Sequence, residues 1–242
     1  MNRLRVLVLG MVTALISLGG FGSPNALAQQ SAGAGQSTEK LPADVYADTY
    51  SRMPRAKKEN FTHEEEKQAF DRLLADGFDK RESGGTLIRG QLPIIADLFS
   101  TTLIALRDKR GLEISGLKES EAEVAILTAL RELAEPYEWV GHERTALRVG
   151  VPQQTVDVIK YNRFTSGLPE RDETIIRFGR ELYRGARKVS SKTFADMERL
   201  FGRKGTLNLT VLMMYYTAND VLFRAYDQRV PPTRGAQPFP IP

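Results

Sequence analysis

Apolar residues recur every three or four positions along most of this chain, the period of a helix with one face turned inward, while the two-residue alternation of a sheet is missing. The expected fold class is therefore all-α. Thr62-His63-Glu64-Glu65 has the form of a capping box, and Ala69, Phe70, Leu73 and Leu74 carry the helix it opens as far as Gly77. Ile94, Ile95, Leu98, Phe99, Leu103 and Leu106 make a wide stripe over 92–110, which Gly111 is expected to end. Val124, Ile126, Leu127, Leu130 and Leu133 predict a helix over 119–134. Pro136 suits the first position of the next one, which runs to Gly150. Further helices are expected over 152–161, 170–188 and 190–202, the last capped by Ser190 or Ser191 and stopped by Gly202. The segment 207–227 is apolar around most of its circumference, which places it at the centre of the fold or at a contact between subunits.

The flanks have a different texture. Residues 1–28 read as a secretory signal peptide: Arg3 and Arg5, an apolar run, then Ala26-Leu27-Ala28 as a small-residue cleavage site. Gly19, Gly20 and Gly22 interrupt that run short of the roughly 20 apolar residues a membrane span needs, so an exported chain with no membrane anchor after cleavage is expected, periplasmic or secreted. Residues 29–60 divide into a polar linker and an arm containing Tyr46, Tyr50, Met53, Pro42 and Pro54. That arm reads either as an extended strap across the domain or a neighbouring subunit, or as a disordered leader. Residues 61–228 form one helical domain, and 229–242 a tail whose prolines oppose helix.

Composition narrows the function. Removing the leader takes away Arg3 and Arg5 and no acid, which halves the formal charge of +4. No basic stripe with interleaved aromatics remains, so nucleic acid is not an expected partner. With no cysteine anywhere, neither a disulfide framework nor a thiolate nucleophile exists, and packing alone must hold the chain together.

Candidate chemistry concentrates in 117–161. Glu138 and His142 stand four apart on one helix face, with Ala146 a turn further on, leaving room for a small pocket beside the imidazole. Glu138 falls in the first helical turn, where free N–H groups favour a carboxylate, and its charge would in turn favour imidazolium at His142. Acid/base work by this pair and a purely structural histidine are both compatible with the spacing. Ser120-x-x-Glu123 also fits a capping box, which would give Glu123 a local role. Glu135 precedes the helix, Tyr137 and Trp139 suit either core or pocket wall, and His63 suits an exposed first-turn position. Two ligands at Glu138-x-x-x-His142 are too few for a metal site.

Glu121 and Glu123 before an apolar run, followed by Tyr137-Glu138-Trp139-x-x-His142-x-x-x-Ala146-x-x-x-Gly150, resemble the carboxymuconolactone decarboxylase and alkyl hydroperoxidase D-like superfamily. The resemblance extends upstream to 45–61 and downstream to the last helices. It implies an alkyl hydroperoxidase D-like helical bundle, a homo-oligomer, and Glu123 beside His142. In the peroxidase branch two cysteines stand seven and four residues before the histidine; here those positions hold Glu135 and Glu138. The decarboxylase branch implies a cofactor-free enzyme, using His142, Glu138 and Glu123 on a small carbonyl, lactone or carboxylated substrate, with Tyr137 and Trp139 as substrate-binding residues. The alternatives are a non-catalytic small-molecule-binding or scaffold protein, and a peroxidase-fold relative without thiol peroxidase activity.

Overall fold

The computed structural model describes residues 40–234. The signal peptide expected over 1–28, most of the polar linker, and Pro238, Pro240 and Pro242 of the tail lie outside the described residues. Among the described residues the regular structure is helical throughout, apart from one isolated bridge between Tyr46 and Ser51. No helix among them is long and apolar enough to cross a membrane.

Nine α-helices follow one another among these residues: α1 (Glu64–Ala75), α2 (Gly85–Arg89), α3 (Pro93–Arg107), α4 (Lys109–Ser115), α5 (Glu119–Leu133), α6 (Pro136–Arg148), α7 (Gln153–Lys160), α8 (Glu170–Tyr183) and α9 (Ser191–Ala225). Helix α5 is the axis. Every position over 121–130 is buried, because α6, α7, α8 and α9 pack around it and leave no solvent face. Its polar residues are therefore each partnered internally: Thr128 donates to the Val124 carbonyl one turn back, 2.7 Å away. Helix α8 approaches α5 closely at Gly179, where a Cβ would stand 2.6 Å from Thr128 Cγ2.

Several local signals resolve differently from their sequence patterns. His63, not Thr62, occupies the cap position of α1, and no capping side-chain hydrogen bond forms there. His63 itself is exposed. The single helix expected over 92–110 is two, broken at Asp108, whose extended backbone and side chain accepting from Gly111 N–H open α4. Gly111 lies inside α4 instead of ending α3; a Cβ there would stand 1.9 Å from the Ala105 carbonyl oxygen. At α5, Lys118 N–H donates to Glu121, so Glu121 closes the capping box and Ser120-x-x-Glu123 does not. Helix α8 stops at Tyr183, short of the expected 188. Ser190 caps the final run, accepting from Thr193 N–H at 3.2 Å. Gly202 breaks that run at φ 64°, after which α9 resumes at once, ahead of the expected start at Leu207.

A smaller core of Phe61, Phe70, Phe78, Leu87 and neighbours joins α1, α2 and α3, with Phe70 5.1–5.2 Å from both Phe61 and Phe78. The described part of the arm lies against the end of α9: Arg52 N–H donates to Tyr226 O, and Arg229 N–H to Tyr50 O. Gln228 ties these parts together. Its Nε2 donates to Thr49 O and Tyr50 O, while Oε1 accepts from Gly84 N–H at the entrance to α2.

Candidate functional site

The turn between α5 and α6 is two residues long. Ala134 takes a left-handed conformation and Glu135 becomes the N-cap of α6, accepting from the N–H groups of Tyr137 and Glu138, both at 2.8 Å. Glu135 thus precedes the helix and Glu138 lies in its first turn, both as expected, but the free N–H groups there are taken by Glu135. Burial and the charge of Glu138 push the Glu135 carboxyl up to about 8, against the lowering effect of the two N–H donors. Glu138 turns instead toward α9, where Asn219 Nδ2 donates to its Oε1 at 3.1 Å.

One and two turns inside these helices the buried polar groups form a chain. His142 Nδ1 stands 2.8 Å from Glu123 Oε2 and Nε2 stands 3.0 Å from Tyr216 Oη. Arg107 of α3 donates to both ends, to Glu123 Oε1 and, at 3.0 Å, to Tyr216 Oη. These contacts assign the proton positions. Because the phenol oxygen accepts from Arg107, its own hydrogen points to His142 Nε2; the imidazole then carries its hydrogen on Nδ1 and donates to Glu123. Burial raises the Tyr216 phenol well above its ordinary value, so it remains a neutral donor. Burial works to lower the Arg107 guanidinium, yet Tyr216 and Glu123 outweigh it and the net shift is upward. Glu138 Oε2 lies 3.9 Å from His142 Nε2, an ion-pair distance without a hydrogen bond.

This chain ends at a cavity of about 160 Å³. Glu138, Tyr216, Tyr137 and Asn219 form one side of it, the Ser83-Gly84-Gly85-Thr86 loop another, and Arg81, Arg89 and Arg234 contribute cations. Tyr137 Oη bonds Ser83 Oγ at 2.7 Å, and the Arg234 guanidinium covers the Tyr137 ring at 4.3 Å. Gly84 is required here: its φ is 109°, and a Cβ would stand 3.0 Å from Tyr137 Oη.

Of the residues singled out in the sequence, Glu138 and Tyr137 border the cavity, while His142 and Glu123 stand behind Tyr216. Trp139 does not border it. It is fully buried in the main core on the other side of α6, where its indole N–H donates to Glu143 at 2.9 Å. Sequence reasoning missed Tyr216, Arg107, Arg89 and Asn219. The signal available was the placing of Tyr215-Tyr216 and Asn219-Asp220 within an otherwise apolar helix. Among the described residues no three His, Asp or Glu side chains gather as a metal site requires.

No family model matches the chain, and no curated protein matches its sequence. Among solved structures it is similar to an alkylhydroperoxidase AhpD core, an uncharacterized peroxidase-related protein from Ralstonia eutropha JMP134. The two are 16% identical, with a TM-score of 0.58 over 76% of this chain and 94% of that one. The likeness is one of fold.

Proposed function

We propose that this alkylhydroperoxidase D-like helical fold has been turned to cofactor-free acid/base chemistry on a small carbonyl or carboxylated compound, by decarboxylation, isomerisation or lactone opening. The observation that carries the reading is the path Glu123–His142–Tyr216, which connects a buried carboxylate to the cavity through 2.8 Å and 3.0 Å contacts. A proton leaving a substrate in the cavity can pass to Tyr216 Oη as the phenol's own proton moves to His142 Nε2. The imidazolium so formed is stabilised by the Glu123 carboxylate on its far side. Glu138, bordering the same cavity, is a second proton carrier, so one atom of a substrate can lose a proton while another regains one. Thiol peroxidase chemistry is not part of this reading, since Glu135 and Glu138 stand where that branch has its cysteines and the chain has none.

Exchange of carbon-bound hydrogen with deuterated water, followed by NMR on a panel of small 2-oxo acids and lactones, tests the reading. The wild-type chain is expected to exchange a hydrogen beside the carbonyl, and Tyr216→Phe to slow this by about 10²–10⁴-fold, the usual weight of a positioned acid/base group. Equal rates in the two proteins would sink it. The full satisfaction of both His142 nitrogens supports a second reading, a binding protein without turnover, for which ligand binding would persist with no exchange in any variant.

A further inference from the structure

Most guanidinium groups on this protein face a carboxylate. Arg177 meets Asp196 and Arg184 meets Glu132, so two of the cations that border the larger surface hollow of about 410 Å³ are already paired. The cavity beside Glu138 differs. Among the described residues, Arg81, Arg89 and Arg234 all border it and none has a carboxylate at ion-pair distance. Arg89 is the sharpest case: it is only 7% exposed, its Nη1 donates to the neutral Asn219 amide at 2.9 Å, its Nη2 reaches Tyr215 Oη at 3.4 Å, and its Nε has no partner. Its nearest carboxylate, Glu138, is reached only through Asn219, whose Nδ2 donates to Glu138 Oε1 at 3.1 Å, and a buried guanidinium with an idle N–H and no direct counter-ion is unfavourable unless something else supplies the charge. Burial pushes the Arg89 guanidinium down from its ordinary value, and Tyr215 and Glu138 offset this only in part. The wall is built to keep it there. Its charge lies over the Phe99 ring at 4.5 Å, and a Cβ on Gly85 would stand 3.0 Å from its Nη2. Among the described residues Glu138 is the only carboxylate bordering the cavity, against three arginines.

We propose that this cavity binds a compact organic carboxylate of about six non-hydrogen atoms, the content of a cavity of roughly 150 Å³, with its anionic end on Arg89 and with Arg81 and Arg234 at the rim. The carboxylate supplies the missing counter-ion and an acceptor for the idle Nε–H. A three-carbon 2-oxo acid then places its carbonyl carbon between Arg89 and the Glu138–Tyr216 edge. Choosing an organic acid over an inorganic oxyanion rests on the acid/base reading above; the anion site itself does not.

Titration calorimetry of the full chain with pyruvate, uncharged pyruvamide and inorganic phosphate tests this. Pyruvate is expected to bind one site, at least about tenfold more tightly than pyruvamide, and Arg89→Met to weaken it by about tenfold or more, as loss of a charge-assisted contact does. Should Arg89→Met fail to fold, Arg234→Gln on the tail serves instead, with a weakening of about threefold expected of a partly exposed charge. Glu138→Gln separates this proposal from the catalytic one: removal of a like charge should tighten pyruvate binding while hydrogen exchange is lost. Pyruvate binding no better than pyruvamide, or unaffected by the arginine changes, would overturn the anion site. Phosphate binding more tightly than pyruvate would overturn the organic-acid assignment, and weaker pyruvate binding by Glu138→Gln would overturn the placement beside Glu138.

Discussion

His142 is joined at both ring nitrogens, and Glu123, its partner, has no exposed surface. His142→Gln cannot span Glu123 and Tyr216 at once, so it should destabilise the fold by about 1–3 kcal/mol, the desolvation cost of a stranded buried group. Urea unfolding measures it, and an unchanged midpoint would mean that the chain of contacts is not formed in solution. Glu135 makes stability depend on pH. Its carboxyl titrates at about 8 in the fold, raised by burial from an ordinary 4.5, so between those values the folded state holds a proton that the unfolded state has released. The contribution is complete below 4.5 and lost as the pH rises through about 8. Stability should therefore fall from pH 5 to pH 9, with a slope of up to about 1.4 kcal/mol per pH unit for one proton. Unfolding midpoints for the wild type and Glu135→Gln check this, the variant being expected to show the flatter profile.

At the scale of elements, the contact between α5 and α8 sets how tightly the bundle closes. Gly179 permits it: an added methyl would stand 2.6 Å from Thr128 Cγ2 and 3.2 Å from Met213 Cε. Both helices are fixed by other neighbours and cannot simply part, so Gly179→Ala should cost about 1–3 kcal/mol, despite alanine's better helix propensity. Gly116 is the useful contrast, with a positive φ of 68° but open space around it; there the cost is backbone strain alone, about 1 kcal/mol. Thermal unfolding of the two variants, with Gly179→Ala the less stable, distinguishes packing from backbone preference.

For the whole molecule, exposed apolar side chains bear on self-association. Leu207, Met214 and Val221 recur at intervals of seven along one side of α9, each more than 60% exposed, and Leu98 and Ile104 on α3, with Leu92 at its cap, are 53–61% exposed. Such runs, placed on helices whose other faces already fill the core, are expected to be covered by a second copy of the chain. Light scattering at micromolar concentration should give a mass above that of one chain, and Met214→Glu should lower it. A monomer mass for the wild type would refute the homo-oligomer.

Periodicity in the sequence was enough to determine an all-α chain, the positions of α5 and α6 with Pro136 opening the second, and the placing of Glu138 and His142 on one face. All of these are properties of a single helix or of a turn two residues long, where the chemical bonds limit the choices. The break at Asp108 was not legible, because a stripe of apolar residues continues through it and Gly111 looks like a stop signal. Its actual reason is the close approach to Ala105, which belongs to the folded turn. The site was legible only in part. Glu123 and His142 came forward through motif and resemblance, but Arg107, Tyr216 and Arg89 arrive from α3, α9 and α2, up to 130 residues away from the groups they touch. Only tertiary packing decides which side chains of separate helices meet, since it depends on crossing angles and close approaches that no single segment encodes. That packing placed Tyr216 between His142 and the cavity, moved Trp139 into the core, and left Arg89 buried without a carboxylate.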